Sequence, residues 1–295
     1  GEDISGGTGT QGDQDAWGGP LGVTKGLRPK FGPDRVLDTH LAEISFVGAA
    51  AGAAATGLRP IVELMFVDFM GVCFDQIFKQ AAKIRYMFGG KAVTPMVVRT
   101  MYGAGFRAAS QHSQCLYPIF THIPGLKVVL PSNAYEAKGL LIQAIRDDDP
   151  VIFLEHKMLY DTMGEVPDGA YTIPFAEARV ARDGKDVLII ALGRMVGVAE
   201  EAARKLATEG ISACIIDPRT TSPLDEDTLL DFTDKIGRVV IVAEERHEMS
   251  TQTEMSVHQL RIELPEGADT DRVVVLAEHW AQSCIADRHA EINEP

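Results

Sequence analysis

Basic residues are scarce in this chain. Lys and Arg number 28 against 42 Asp and Glu, a formal net charge of −14. That balance argues against nucleic acid and anionic membrane as partners, since both demand basic patches. Paired cysteines are also missing. Cys73, Cys115, Cys214 and Cys284 lie far apart with no CxxC, which excludes a disulfide framework and a zinc ribbon. They are expected to be reduced thiols of an intracellular, cytoplasmic protein. His40, His122 and His156 stand alone, and no HxH or HxxxH pair occurs, so a transition-metal centre is not expected. There is no GxSxG elbow and no GxxxxGK[ST] loop, which removes support for a serine triad and for nucleotide hydrolysis. No apolar run is long enough to span a bilayer. The chain opens at Gly1-Glu2-Asp3 without an initiator methionine.

What is present is globular. The 295 residues are 45% hydrophobic and 24% charged, enough for one large domain or two ordinary ones with an ample core. The first stretch, Gly1 to Gly19, is loop-like. Gly7-x-Gly9-x-x-Gly12 spells a dinucleotide fingerprint, but no strand precedes it and Gly18-Gly19-Pro20 follows where a helix should run. Strand and helix patterns then alternate: strand Val36-Leu37, helix Glu43 to Thr56, strand Ile61 to Phe66, and a helix burying Phe74, Ile77, Phe78, Ala81 and Ile84. Strands Met96 to Thr100 and Lys127 to Leu130 follow. Asn133 with Glu136 forms a capping box for a helix reaching Arg146, ahead of strand Val151 to Leu154. Such alternation predicts a parallel sheet with helices on both faces. Asp161 to Gly184, rich in Gly and Pro, is expected to be a linker. A second α/β domain is predicted beyond it, with strands Val187 to Leu192, Ser212 to Asp217 and Val239 to Val242. Its helices are expected at Val198 to Glu209 and Glu226 to Phe232. After Glu244 the pattern weakens, leaving a possible strand at Val273 to Leu276 and a short helix at Trp280 to His289.

Ligands of open parallel sheets gather at the carboxyl ends of the strands. Glu43 follows strand Val36-Leu37, and His112, in the run Gln111-His112-Ser113-Gln114, follows strand Met96 to Thr100 after a glycine-rich turn. An acid and an imidazole delivered by two strand ends can act on one molecule. Each also has a plain structural explanation: a helix N-terminal acid complementing the dipole, and a loop histidine bonded to backbone. Phe66 and Phe69 could present an aromatic face, although spacing alone favours core packing. Asp147-Asp148-Asp149 could hold a cation, though sequence favours the plainer reading of a solvated turn.

Several stretches resemble one family. They are Asp15 to Leu27 (DAWGGPLGVTKGL), Gly57 to Met65 (GLRPIVELM), Phe74 to Ile77, Arg85 to Lys91 (RYMFGGK), Gln111 to Gln114, Pro124 to Lys127, Ala137 to Leu140 and Asp217 to Asp225 (DPRTTSPLD). Together they are similar to the beta subunits of thiamin-diphosphate-dependent 2-oxoacid dehydrogenases. Ala16 to Gly19 and Met101 to Arg107 resemble the acetoin dehydrogenase branch. The resemblance covers Gly1 to about Val242. It implies a pyrimidine-type thiamin-diphosphate-binding domain, here 1–165 and lacking the family's preceding N-terminal helix. A transketolase C-terminal-like domain, 177–295, would follow and is atypical after Glu244, where a His-Thr-Pro segment is absent.

The resemblance further implies two alpha and two beta chains with the cofactor between them. The GDG-and-asparagine motif for diphosphate and magnesium is missing here, so the alpha subunit would supply those ligands. By position, Glu43 matches the glutamate whose proton drives the aminopyrimidine to its imino form, which then deprotonates the thiazolium carbon. Phe69 matches the aromatic packed on the pyrimidine, and His112 the active-site histidine. The carbonyls of Met96, Ala144, Asp147 and Asp149 match those holding potassium in some members. The implied activity is cleavage of acetoin, with acyl transfer to a lipoyl-bearing acyltransferase. The alternatives are a pyruvate or branched-chain 2-oxoacid dehydrogenase beta subunit, or a catalytically silent binding subunit.

Overall fold

The computed structural model describes residues 1–5 and 18–244, together with the backbone of 259–261. Two compact units divide the chain: Gly1–Phe175 with Thr220–Pro223, and Ala176–Arg219 with Leu224–Pro295.

The first unit starts with a short helix α1 (Leu27–Phe31) and continues with α2 (Glu43–Ala55), β1 (Ile61–Phe66), α3 (Ala82–Met87), β2 (Val97–Tyr102), α4 (Tyr117–Thr121), β3 (Lys127–Val129), α5 (Ala134–Arg146) and β4 (Val151–His156). Its sheet runs β1-β2-β4-β3 in parallel and is closed by an antiparallel edge strand, Thr220–Ser222, from later in the chain. All six residues of β2 are buried, as a parallel strand covered on both faces requires. Register fixes the site's edge: Phe66 lies opposite Met101, and Tyr102 opposite His156. The last residues of β1, β2 and β4 therefore end side by side.

Local chemistry accounts for these boundaries. Asn133 Oδ1 accepts from Glu136 N at 2.9 Å and caps α5. The Glu136 carboxylate does not return to the Asn133 amide as a reciprocal box would. It accepts from Ser132 Oγ at 2.8 Å and Ser132 N at 3.3 Å. Charge is also built into the middle of the sheet. Arg99 on β2 donates to Glu63 on β1 at 2.5 Å, to Glu155 on β4 through two nitrogens, and to the Tyr160 hydroxyl at 3.0 Å. Burial holds the Glu63 carboxyl above the usual carboxylate range, opposed by Arg99, and burial followed by Glu155 raises the Tyr160 phenol.

The second unit carries β5 (Arg179–Arg182), β6 (Val187–Ala191), α6 (Arg194–Thr208), β7 (Ala213–Asp217), α7 (Glu226–Ile236), β9 (Val239–Ala243) and β10 (Gln259–Arg261), with β8 being the Thr220–Ser222 strand given to the first sheet. The order is β10-β9-β6-β7-β5, with parallel pairing at the centre and antiparallel strands at both edges. Met195, Val196, Ala199 and Ala203 of α6 pack on Ile189, Ala191, Ala213 and Ile215.

The α/β class holds in both units. Four details differ from expectation. Val36-Leu37 is not a strand: Val36 N turns back to Gly32 O at 3.0 Å and Arg28 caps the Val36 carbonyl, so this backbone is spent locally. The sheets are mixed, because polar edge strands β5, β8 and β10 run antiparallel. The 161–184 segment contains β5, whose Arg-Val-Ala-Arg sequence has no continuous apolar run. Helix α6 begins at Arg194, not Val198, after Gly193 takes φ 53°. Gly7-x-Gly9-x-x-Gly12, Val273 to Leu276, Trp280 to His289 and Cys284 lie outside the described residues. Among the described residues no helix is long and apolar enough to cross a membrane.

Candidate active site

Helix α2 joins β1 through the short Thr56–Pro60 connection, so it runs back along the sheet. Its first turn is thereby directed to the edge where β1, β2 and β4 end. Glu43 is the first residue of α2, half-buried, without a side-chain cap on the helix. Its neighbours identify themselves electrostatically. Glu2 is 3% exposed. Burial, then the Glu43 carboxylate, push it up to about 7. Among the described residues Glu2 Oε1 is buried with no hydrogen-bond partner. Burial also pushes the Cys73 thiol up to about 12, again with Glu43 contributing. Cys73 follows the Phe69 turn, and its Sγ donates to Met70 O at 3.6 Å. Glu43 therefore lies in electrostatic range of Cys73, a few residues beyond the Phe69 turn.

Beyond β1 the chain makes a 3₁₀ turn, Val67–Gly71, that presents Phe69 next to Phe66, with ring centroids 5.8 Å apart and near perpendicular. Beyond β2, the 103–114 loop brings back His112. Its imidazole meets Phe66 edge-on at 4.8 Å and Phe69 at 5.4 Å. The structure thus brings His112, Phe66 and Phe69 into one cluster of half-buried rings.

The His112 loop is strained. Arg107 has φ 57°, and Ala109 has φ 59° with ψ −176°, a region that normally belongs to glycine. Such residues cost about 1–3 kcal/mol each and persist where the surroundings over-determine them. Here Gly103 N donates to Gln114 O at 2.9 Å and closes the loop base. Ser113 Oγ donates to Ala109 O at 2.7 Å, and Gln114 N to Asp68 Oδ1 at 3.3 Å. The buried Lys157, just past β4, donates from Nζ to the His112 carbonyl and sits 5.4 Å from the Phe66 ring centre.

The carboxylates of the Asp147-Asp148-Asp149 run are engaged by basic side chains. Lys127 Nζ donates to both Asp147 oxygens at 2.6 and 2.7 Å, Arg85 pairs with Asp149 at 2.5 Å, and Arg59 pairs with Asp148. Arg59 Nη1 also donates to Asp147 O at 2.7 Å. Of the other carbonyls, Met96 O accepts from Val151 N at 2.9 Å and Ala144 O from Asp147 N at 3.3 Å. The three aspartates occupy the turn between α5 and β4, Ala144 is in the last turn of α5, and Met96 directly precedes β2, so these groups lie at the starts of the parallel strands and the ring cluster at their ends. Among the described residues no group of three or more His, Cys, Asp or Glu could hold a metal.

Asp68, Lys157 and Glu2 were not picked out from sequence. Lys157 did carry a signal, a cation directly after a strand end. Asp68 lies between two aromatics already singled out.

This donor set suits the ring end of a heterocyclic cofactor: an aromatic cradle, an acid at a helix start and an imidazole. Comparison with known proteins identifies the family. Residues 2–163 match the pyrimidine-binding domain of transketolase, and residues 176–261 its C-terminal domain. The chain is 66% identical, over 87% of its length and 75% of the relative's, to the beta subunit of acetoin:2,6-dichlorophenolindophenol oxidoreductase of Cupriavidus necator. The Bacillus subtilis protein of that name is 55% identical with the same coverage. The 2-oxoisovalerate dehydrogenase beta subunit of Bacillus subtilis is 45% identical over 81% of this chain and 73% of its own. Among solved structures, a split-gene transketolase described as an inactive β4 tetramer shares the fold. Its TM-score is 0.64 at 24% identity, covering 75% of this chain and 69% of that one.

Proposed function

The chain belongs to the beta subunits of thiamin-diphosphate-dependent acetoin and 2-oxoacid dehydrogenases, and from that premise we propose that it serves acetoin cleavage, with Glu43, His112 and Phe69 as its working residues. The observation that carries the reading is the Phe66–Phe69–His112 ring cluster at the strand ends, the edge toward which the first turn of α2 runs.

When bound, thiamin diphosphate supplies a nucleophilic carbon able to break the bond beside a carbonyl. The protein's contribution is positional and acidic. The Phe69 ring would pack on the cofactor's pyrimidine. The Glu43 carboxyl would hold a proton on a pyrimidine ring nitrogen and so set the tautomer of the exocyclic amine. His112 donates to the substrate oxygen as charge gathers there and orients the acetyl unit for transfer. Acetoin would lose acetaldehyde, and the two-carbon unit left would be oxidised to acetyl as the lipoyl disulfide is reduced, one sulfur taking the acetyl as a thioester and the other leaving as a thiol.

An alpha subunit supplies the diphosphate and magnesium ligands in a two-alpha, two-beta assembly, and a lipoyl-bearing acyltransferase receives the acyl group. Potassium is assigned to the carbonyls of Met96, Ala144, Asp147 and Asp149; the first three oxygens each keep a second lone pair beside the bonds described above. The buried thiols Cys73 and Cys214 support a reducing, cytoplasmic setting.

The test is dye reduction by the reconstituted alpha–beta enzyme with acetoin, pyruvate and 2-oxoisovalerate. Acetoin is expected to be turned over fastest. Faster turnover of either oxoacid would overturn the substrate assignment.

A further inference from the structure

We propose that Lys157 is a positioning residue that holds His112 in its working place; this rests on the reading of His112 given above. A buried ammonium must be partnered, because desolvation of an unpaired charge is prohibitive. Lys157 is 3% exposed, and two of its contacts bear on His112. Its Nζ donates to the His112 backbone carbonyl. The same ammonium lies 5.4 Å from the centre of the Phe66 ring, a cation–aromatic distance, and that ring is the one His112 meets at 4.8 Å. One cation thereby braces both the backbone of His112 and the surface its imidazole rests on.

The loop needs a brace. Arg107 and Ala109 have positive φ, and left alone the segment would relax by moving the residues that follow. Ser113 and Gln114 are tied down by Ala109 O and Asp68. Lys157 ties residue 112 itself. It is anchored in the turn that leaves β4, a strand paired along its length with β2, so the restraint is referred to the sheet and not to another loop.

A mobile His112 should damage the steps that use it and spare those belonging to Glu43. The experiment uses the reconstituted alpha–beta enzyme with Lys157→Met, Lys157→Arg and His112→Asn. Lys157→Met is expected to lower kcat for acetoin about 10- to 100-fold, with KM changed less than about threefold, since a misplacement near 1 Å costs up to that much. Exchange of the cofactor's thiazolium proton should stay at the wild-type rate, and the pH profile of kcat should shift. Lys157→Arg, which keeps the cation, should recover most of the loss. Should Lys157→Met not assemble, Lys157→Gln, which keeps a donor, reads the same split.

Wild-type kcat and pH profile in Lys157→Met would overturn the proposal. So would an equal loss of exchange and turnover, or an Arg variant as damaged as the Met variant. Failure of the underlying reading looks different: His112→Asn would then itself turn over acetoin at the wild-type rate. An impaired His112→Asn beside an unimpaired Lys157→Met sinks the role of Lys157 alone.

Discussion

Gly103 passes so close to His156 that a methyl group on it would stand 2.1 Å from the imidazole Nε2. Gly103 also has φ +96°, and it forms the base of the His112 loop through Gln114. Gly103→Ala must therefore displace either the loop or the end of β4. The expected loss is about 2–3 kcal/mol from backbone strain and overlap, seen as a lower Tm, with turnover falling further than stability alone explains.

Glu43→Gln keeps the shape and removes the proton. Thiamin diphosphate should still bind, while exchange of the thiazolium proton slows by about 10²–10⁴-fold, the usual range for loss of a positioned acid. Exchange at the normal rate, followed by NMR in deuterated buffer, would show that the acid lies elsewhere.

Glu2 makes stability depend on pH. Its carboxyl sits at about 7 in the fold, raised from 4.5. Below the unfolded value both states are protonated and nothing is lost. Between the two values the folded chain holds the extra proton, so stability falls as pH rises and is lowest above about 7. Glu2→Gln should remove that slope and raise Tm by a few degrees at pH 8 while leaving it unchanged at pH 4. A variant with the wild-type slope would contradict the assignment.

Arg99 is one guanidinium serving two carboxylates, Glu63 and Glu155. Arg99→Met leaves both buried without a counter-charge, at an expected cost of about 3–5 kcal/mol in urea unfolding at pH 7. The deficit should shrink in acid, because burial already holds the Glu63 carboxyl above the ordinary range and it protonates readily.

The elements that sequence made legible are those whose signal is local. Apolar runs marked β1, β2 and β4, and the Asn133 side chain marked the start of α5. The elements it hid depend on distant partners. Thr220–Ser222 is a strand because β3 offers it an edge, and its Thr-Thr-Ser sequence carries no apolar signal. Arg99 and Glu63 interrupt apolar strands, and their pairing is visible only once the strands lie in register. Within the site, Glu43, Phe69 and His112 stood out by their place near expected strand ends, and their roles came from the resemblance. Lys157 was not, because the group it grips is a backbone carbonyl 45 residues away, and carbonyls carry no sequence identity.

The order β1-β2-β4-β3-β8 has a practical consequence for anyone dividing the gene. A polypeptide stopped after Phe175 would present β3 with its outer row of amide and carbonyl groups uncapped, and would forfeit the Ser222 clasp on Leu126 and the Thr121–Thr221 hydroxyl pair. Such a rim is an invitation to intermolecular strand pairing. A fragment meant to stay monodisperse in the test tube has to carry the tether through Pro223, even though most of that tether serves the other half of the molecule.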